Sequence, residues 1–211
     1  MENINNKLLD KCKERATLGR KAIDFTAEYI IKNNEIASIH LQKEVAGKYA
    51  ILFFYPLNFT FVCPTEILAL NNKIEDFNIR GAEVFGISVD SLHCHLAWKN
   101  SSFKNGGIGN INFALISDIK KEIAEHYNAL DHASGIATRQ TIIIDPDFKI
   151  IHMGSYVNHI GRNIDDYIRI IDADMHYKLY GEVCPANWSK NLRAIKPNLE
   201  STGIYLVEIN K

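Results

Sequence analysis

The segment Lys48-Tyr-Ala-Ile-Leu-Phe-Phe-Tyr55 decides the fold, because this apolar run leads directly into Pro56-Leu-Asn-Phe-Thr-Phe-Val-Cys63-Pro64. An apolar run without alternation is typical of a strand that is covered on both faces of a sheet. The residues that follow, up to Asn78, predict a helix. Its apolar positions lie at spacings of three and four: Ile67, Leu70, Ile74 and Phe77. We therefore predict a buried strand, a loop and a helix in that order.

Strands and helices continue to alternate along the rest of the chain. Two hairpins are predicted, one with its turn at Lys32–Glu35 and an antiparallel one with its turn at Asp145–Asp147. Apolar residues at helical spacing between Ile164 and Met175 predict a long amphipathic helix. The other predicted elements are a strand at Ala82–Val89, a helix from Leu92, a strand at Phe113–Ile116 and a helix around Lys120–Tyr127. This order predicts an α/β fold with a mixed central sheet and helices on both faces.

Changes in composition suggest the domain boundaries. Residues 1–19 form a polar N-terminal extension, in which the spacing of Ile4, Leu8 and Cys12 suggests a short helix. We expect one α/β domain over residues 20–180 and a polar C-terminal arm over residues 181–211. A chain of 211 residues buries enough apolar surface to fold without metals or disulfides.

Composition and charge argue against several classes of protein. A hydrophobic fraction of 46% with 23% charged residues is that of an ordinary globular protein. No window approaches the ~18 consecutive apolar residues that a membrane span needs. The net charge of −1 argues against a nucleic-acid partner. The chain starts without a secretory signal, and its early acidic residues argue against a mitochondrial presequence, so we expect a cytoplasmic protein.

The four cysteines, Cys12, Cys63, Cys94 and Cys184, lie far apart in the sequence. Because no CxxC pair exists, neither a zinc knuckle nor a thioredoxin-type dithiol is predicted. In a reducing compartment, a functional cysteine is more often catalytic or redox-active than a structural crosslink. A metal site at His93-Cys94-His95 is a weak alternative, since adjacent residues of a helix point in different directions. We expect neither a metal nor a cofactor.

Cys63 is the strongest candidate nucleophile. It follows the buried strand, at the sheet edge where the active sites of open α/β proteins lie. Pro64 marks the first helical turn, where its missing N–H group costs nothing. The free N–H groups and the dipole of a helix N-terminus stabilise a thiolate over a thiol. The alternative interpretation is a cysteine that only fills space in the core.

Three further residues could assist this thiolate, and each also has a purely structural interpretation. Thr60 could hydrogen-bond the sulfur or an incoming oxygen, or simply belong to a turn. Pro56 could shield the site from water, or only end the strand. Arg139 stands beside an apolar run and needs a partner for its charge, either at the site or in a structural ion pair.

Together these residues belong to a set of motifs that closely resembles the typical two-cysteine peroxiredoxins. This family includes thioredoxin peroxidases and the peroxidase subunit of bacterial alkyl hydroperoxide reductase, and the resemblance extends from about Gly19 to about Pro197. The motifs are Phe59-Thr-Phe-Val-Cys-Pro-Thr-Glu66, Ser88-Val-Asp90, His95-Leu-Ala-Trp98, Gly106-Gly-Ile-Gly109, Gly161-Arg162 and Val183-Cys-Pro-Ala-Asn-Trp188. The resemblance implies a thioredoxin-like fold.

The resemblance implies a role for each matching residue. Cys63 matches the peroxidatic cysteine, which attacks hydrogen peroxide or an alkyl hydroperoxide and becomes a sulfenic acid. Cys184 matches the resolving cysteine of the partner subunit, which forms a disulfide that a thioredoxin-like dithiol reduces. Thr60 and Arg139 match the residues that bind the peroxide. Pro56 matches the shielding proline, and Glu66 and Arg162 match the pair that orients the arginine.

The resemblance also implies homodimers that assemble into decamers, with Cys94 near the contact between dimers. A holdase-type chaperone, formed when the assembly is overoxidised, is the alternative function. Three departures from the family pattern are visible. Ile23 replaces a usual proline, Ser155–Ile160 lacks the common Val-Asn-Asp-Leu-Pro stretch, and the arm ends in Tyr205-Leu206 where sensitive relatives have Tyr-Phe. The second departure leaves the fine positioning of Arg162 to be established.

Overall fold

The structure is a computed structural model that describes residues 14–31 and 33–210. The helix suggested by Ile4, Leu8 and Cys12 lies outside the described residues. The chain divides into two compact units between Arg162 and Asn163. The division into residues 1–19, 20–180 and 181–211 stays a prediction.

The described residues of the first unit form a seven-stranded mixed sheet. The strands are β1 (Thr26–Ile30), β2 (Ile36–His40), β3 (Tyr49–Phe54), β4 (Ala82–Ser88), β5 (Ala114–Ser117), β6 (Leu130–Asp131), β7 (Ile136–Ala137), β8 (Arg139–Ile144) and β9 (Ile150–Tyr156). Their order in the large sheet is β2-β1-β5-β4-β3-β8-β9, and β6 and β7 form a small separate sheet. Strands β3, β4 and β5 run parallel, whereas the pairs β1–β2, β1–β5, β3–β8 and β8–β9 are antiparallel. The predicted α/β class and both predicted hairpins are therefore confirmed.

Strand β3 is buried on both faces, as its unbroken apolar sequence predicts. Ala50, Leu52 and Phe54 alternate toward one face and join the main hydrophobic core. Ile51 and Phe53 point to the opposite face and are also fully buried. Strand β3 lies between β4 and β8, so both of its hydrogen-bonding edges are paired as well.

Five α-helices accompany the sheet in the described part of the first unit: α1 (Leu41–Glu44), α2 (Cys63–Asn72), α3 (Ile74–Asn78), α4 (Leu92–Asn100) and α5 (Glu122–His126). A short 3-10 helix spans Phe103–Asn105. The predicted continuous helix up to Asn78 is wrong in one respect, because the chain leaves helical geometry at Lys73, with φ −107° and ψ 7°. A break of one residue leaves the apolar periodicity nearly intact, so the sequence pattern does not reveal it. Helix α1 and the small sheet are too short for their periodicity to predict them.

The second unit contains helix α6 (Ile164–Tyr180) and helix α7 (Leu199–Ile209). Gly181 ends α6 with φ +67°, a conformation that glycine adopts without steric cost. The expectation of a polar C-terminal arm is wrong for its last part, where α7 exposes large apolar side chains, among them Leu199 and Val207. Asn198 starts this helix by accepting a hydrogen bond from the Ser201 N–H at 2.8 Å.

None of the helices within residues 14–31 and 33–210 is long and apolar enough to cross a membrane.

Candidate active site

The turn from β3 into α2 places Cys63 at the first position of a ten-residue helix. The carbonyl oxygen of Val62 accepts hydrogen bonds from the Thr65 and Glu66 N–H groups and so begins the helix. Pro64 occupies the first turn, as predicted. Cys63 is fully buried. Its position at the start of the helix also places the sulfur at the positive end of the helix dipole.

Arg139 contacts the sulfur directly. It begins strand β8, which pairs with β3, and only 3% of the residue is exposed. Its Nη1 donates to Cys63 Sγ at 3.4 Å and to Glu66 Oε2 at 2.6 Å. Its Nε and Nη2 both donate to the carbonyl oxygen of Asn158, at 3.0 and 2.8 Å. These four contacts fix the orientation of the guanidinium group against the sulfur.

Glu66 connects Arg139 to a second buried arginine, Arg162. Arg162 Nε and Nη2 donate to the two carboxylate oxygens of Glu66 at 2.9 and 3.0 Å, and its backbone N–H donates to Oε1 at 2.9 Å.

Other contacts also hold the Arg162 side chain. Its Nη1 donates to the carbonyl oxygen of Gln140 and to Thr141 Oγ1, both at 3.0 Å. Its guanidinium carbon lies 3.2 Å from the centroid of the Phe53 ring. The positioning of Arg162 is thus set despite the altered stretch before Gly161.

The described side chains around the Cys63 sulfur carry an excess of positive charge. Two guanidinium groups, of Arg139 and Arg162, share one carboxylate, that of Glu66. One net positive charge is therefore left beside the sulfur in a buried site, which is suited to hold a negatively charged group because an uncompensated buried charge costs much free energy.

A cavity of about 440 Å³ opens beside the cluster. Its lining residues are Pro56, Thr60, Phe61, Val62, Arg139, Asn158 and His159. The hydroxyl of Thr60 donates to the Leu57 carbonyl oxygen at 2.9 Å, so its lone pairs remain available to accept a hydrogen bond. Among the described contacts, the expected bond between Thr60 and the sulfur is not formed. The site contribution of Asn158 is a backbone carbonyl, which sequence patterns do not reveal.

The remaining candidate, Cys184, lies in the second unit and is partly buried. It follows α6, and its thiol donates to the Ala173 carbonyl oxygen at 3.6 Å. Burial raises the pKa of this thiol, and burial together with Asp90 raises the pKa of the Cys94 thiol. A higher thiol pKa means less thiolate near neutral pH, so neither group is suited to be the first nucleophile.

No group of three or more His, Cys, Asp or Glu side chains in the part of the chain that the structure describes is arranged to hold a metal ion.

The model of the AhpC/TSA family matches residues 18–153, which include the Cys63 turn and Arg139. The chain belongs to the AhpC/TSA family. A human relative of the family, named thioredoxin-dependent peroxide reductase, mitochondrial, is 42% identical over 86% of this chain and 70% of its own length. Alkyl hydroperoxide reductase C of Helicobacter pylori is 40% identical over 89% of this chain and 94% of its own.

Solved structures of AhpC/TSA relatives share the fold. The reduced 2-Cys peroxiredoxin of Plasmodium vivax matches with a TM-score of 0.88 at 42% identity, covering 91% of this chain and 99% of its own. The mitochondrial 2-Cys peroxiredoxin of Plasmodium falciparum matches with a TM-score of 0.76 at 47% identity, covering 80% and 100%. The resemblance to two-cysteine peroxiredoxins, the thioredoxin-like fold and the peroxiredoxin enzyme class are confirmed. None of these names refers to a chaperone, so the holdase alternative has no support.

Proposed function

We propose that this peroxiredoxin reduces hydrogen peroxide and organic hydroperoxides, with Cys63 as the nucleophile. The observation that carries the proposal is the buried Cys63 sulfur at the start of α2, 3.4 Å from Arg139 Nη1. The thiolate attacks the distal oxygen of the peroxide, and the O–O bond breaks. The sulfur becomes a sulfenic acid, and the other oxygen takes up a proton and leaves as water or an alcohol.

Arg139 and Thr60 divide the task of holding the peroxide. Arg139 donates hydrogen bonds at the place where negative charge develops on the leaving oxygen, which lowers the barrier as an oxyanion hole does. Thr60 Oγ1 has lone pairs free for the O–H group of the peroxide. Pro56 forms part of the cavity wall and contributes no N–H donor that could compete for the substrate.

Glu66 and Arg162 are positioning residues in this proposal. Glu66 holds Arg139 through a 2.6 Å ion pair, and Arg162 holds Glu66 through three hydrogen bonds. A buried arginine without such partners would be costly and free to turn away from the sulfur.

Cys184 completes the cycle as the resolving cysteine. The Cys184 sulfur attacks the sulfenic sulfur of Cys63 in a partner subunit and the S–O bond breaks. The departing hydroxyl group takes up the proton that the Cys184 thiol loses and leaves as water, and an intersubunit disulfide forms. Because Cys63 is fully buried, the first turn of α2 must open before this reaction. A thioredoxin-like dithiol then reduces the disulfide by thiol exchange. The active form in this proposal is a homodimer that assembles into a decamer.

The proposed location is the cytoplasm, whose reducing conditions suit the free thiols of Cys63, Cys94 and Cys184. Two of the proteins compared above are named as mitochondrial. Fractionation of cells that produce the full chain decides between the two compartments.

Non-reducing gel electrophoresis after one equivalent of hydrogen peroxide tests the cysteine pairing. We expect a covalent dimer from the wild-type protein and from Cys94→Ser, which serves as the matched control. Cys63→Ser and Cys184→Ser should remain monomeric on the gel. A covalent dimer that persists in Cys184→Ser would show that another cysteine resolves the sulfenic acid.

A further inference from the structure

A second polar cluster, partly buried at Asp90 and Cys94 and buried at its other residues, lies beside the loop that connects β3 to α2. It is formed by Tyr55, Asn58, Asp90, Cys94 and His95, none of which belongs to the arginine cluster around Glu66. Asn58 stands at its centre and is only 6% exposed. This residue occupies the middle of the loop, between the two cavity-lining residues that the proposed mechanism uses there.

Every polar atom of the Asn58 side chain has a partner. Oδ1 accepts from the Tyr55 hydroxyl at 2.9 Å. Nδ2 lies 3.0 Å from His95 Nδ1 and 3.4 Å from Cys94 Sγ. The backbone N–H of Asn58 donates to Asp90 Oδ2 at 2.9 Å. The loop is therefore tied at this one residue to the end of β4 and to helix α4.

The partners of Asn58 are themselves fixed in place. His95 is fully buried, and its Nε2 lies 3.2 Å from the Ile116 carbonyl oxygen. A carbonyl oxygen only accepts, so Nε2 carries the proton and Nδ1 is the acceptor for the Asn58 amide. Burial lowers the pKa of His95, which keeps the ring in this neutral form. Asp90 accepts from Ser88 Oγ at 2.8 Å.

The loop needs this anchor because its conformation is strained. Phe59, the next residue, has φ +53°, a left-handed conformation that is costly for a side chain of this size. Thr60 follows, and its hydroxyl is turned toward the Leu57 carbonyl oxygen. Release of Asn58 would let Phe59 relax toward negative φ. The Thr60 hydroxyl would then move relative to the cavity.

We propose that Asn58 is a positioning residue for peroxide reduction and that it acts through Thr60. The inference rests on the proposed function, because it concerns the geometry of the same peroxide cavity. Arg139 and the N-terminus of α2 have no hydrogen bond to Asn58 among the described contacts. Loss of the Asn58 anchor should therefore impair binding of the peroxide and leave the thiolate itself intact.

Asn58→Leu, which keeps the size of the side chain and removes its hydrogen bonds, tests the proposal in the full-length protein. Two rates are measured for Cys63, the stopped-flow reaction with hydrogen peroxide and the alkylation by iodoacetamide. We expect the peroxide rate constant to fall about tenfold or more, since small displacements of a positioning group are costly. Alkylation needs only the thiolate and should change by less than about twofold.

A double-mutant comparison separates this role from general destabilisation. In a Thr60→Val background, Asn58→Leu should cause no additional loss of peroxide rate, because the group through which it acts is already absent. The matched control is Asn71→Leu, which removes another loop anchor, the 2.7 Å bond from the Asn112 N–H to Asn71 Oδ1. Both rates should stay near wild type in this control.

The outcomes are distinguishable. An unchanged peroxide rate in Asn58→Leu, or a full additional loss in the Thr60→Val background, overturns the inference. Wild-type protein that does not react with peroxide refutes the proposed function instead. If Asn58→Leu does not fold, Tyr55→Phe removes the bond to Asn58 Oδ1 together with the 3.4 Å contact between the same hydroxyl and His95 Nδ1, and it should slow the peroxide reaction selectively. Equal slowing of alkylation in that variant counts against the inference.

Discussion

Substitution of Glu66 by Gln is the most direct test of the buried charge cluster. The change keeps the shape of the side chain and replaces one carboxylate oxygen by an NH₂ group, which donates and does not accept. In the structure each oxygen accepts two hydrogen bonds, Oε1 from Arg162 Nε and N–H, and Oε2 from Arg162 Nη2 and Arg139 Nη1. Whichever way the amide points, two donors lose their acceptor and two buried guanidinium charges lose their only carboxylate in the cluster.

The expected loss of stability is large. Removal of one partner from a buried ion pair costs about 3–5 kcal/mol, because the other charge stays buried without compensation. The Glu66 side chain is 2% exposed and those of Arg139 and Arg162 are 3% and 0% exposed, so solvent screens them little. In a chain of this size, 1 kcal/mol lowers Tm by about 2–4 °C. We therefore expect Tm to fall by about 10 °C and the peroxide rate constant to fall with the loss of Arg139 orientation.

Thermal unfolding followed by circular dichroism measures the first effect, and stopped-flow kinetics at a temperature below both transitions measures the second. The matched control is Glu83→Gln, which breaks the 2.7 Å ion pair with Lys48. Both side chains of that pair are more than 40% exposed, so its loss should cost less than about 1 kcal/mol. A Glu66→Gln protein as stable as the Glu83→Gln protein would refute the argument that the buried charges depend on one another.

Two further predictions concern stability away from the site. Burial raises the pKa of Asp118 to about 6, above its ordinary value. Between about pH 4 and about pH 6, Asp118 is therefore protonated in the native state but ionised in the unfolded state. The free energy of unfolding that this group contributes is present below about pH 4 and is lost as the pH rises to about 6. Urea unfolding at several pH values checks this, and an Asp118→Asn protein with the wild-type pH dependence would contradict it. In Gly107→Ala, the new Cβ would lie 2.0 Å from the Ser101 carbonyl oxygen, which should destabilise the protein by about 1–3 kcal/mol. Gly203→Ala, in open space on α7, should instead stabilise its helix by up to about 1 kcal/mol; equal Tm values for the two variants would contradict the steric argument.

Local patterns in the sequence were sufficient to predict the elements that carry the nucleophile. The apolar run around Phe53 predicts a strand buried on both faces, and Pro64 predicts the helix start beside Cys63. Both signals depend on neighbouring residues only, through side-chain alternation and the missing N–H group of proline. The same kind of pattern did not predict the helix break at Lys73, because a break of one residue leaves the apolar periodicity nearly unchanged. Nor did it predict helix α7, because the capping residue Asn198 lies within a polar stretch.

The resemblance to two-cysteine peroxiredoxins assigned roles to Arg139, Glu66 and Arg162 without describing their contacts. It did not reveal that Thr60 turns its hydroxyl proton toward a backbone carbonyl group. Nor did it draw attention to Asn58, whose partner His95 lies 37 residues further along the chain. A polar residue in a loop looks like a turn residue when only its neighbours in sequence are considered.

The sequence by itself determined the α/β class, the strand–loop–helix turn at Cys63 and the family. Only the tertiary structure decided which charges meet at the sulfur. Cys63 and Arg139 are 76 residues apart, and Glu66 and Arg162 are 96 apart. The contact of Arg139 with the sulfur depends on the antiparallel register of β8 against β3, in which Thr141 lies opposite Phe53. A strand register is set by the packing of the whole sheet, because a shift of one residue would turn every side chain to the other face.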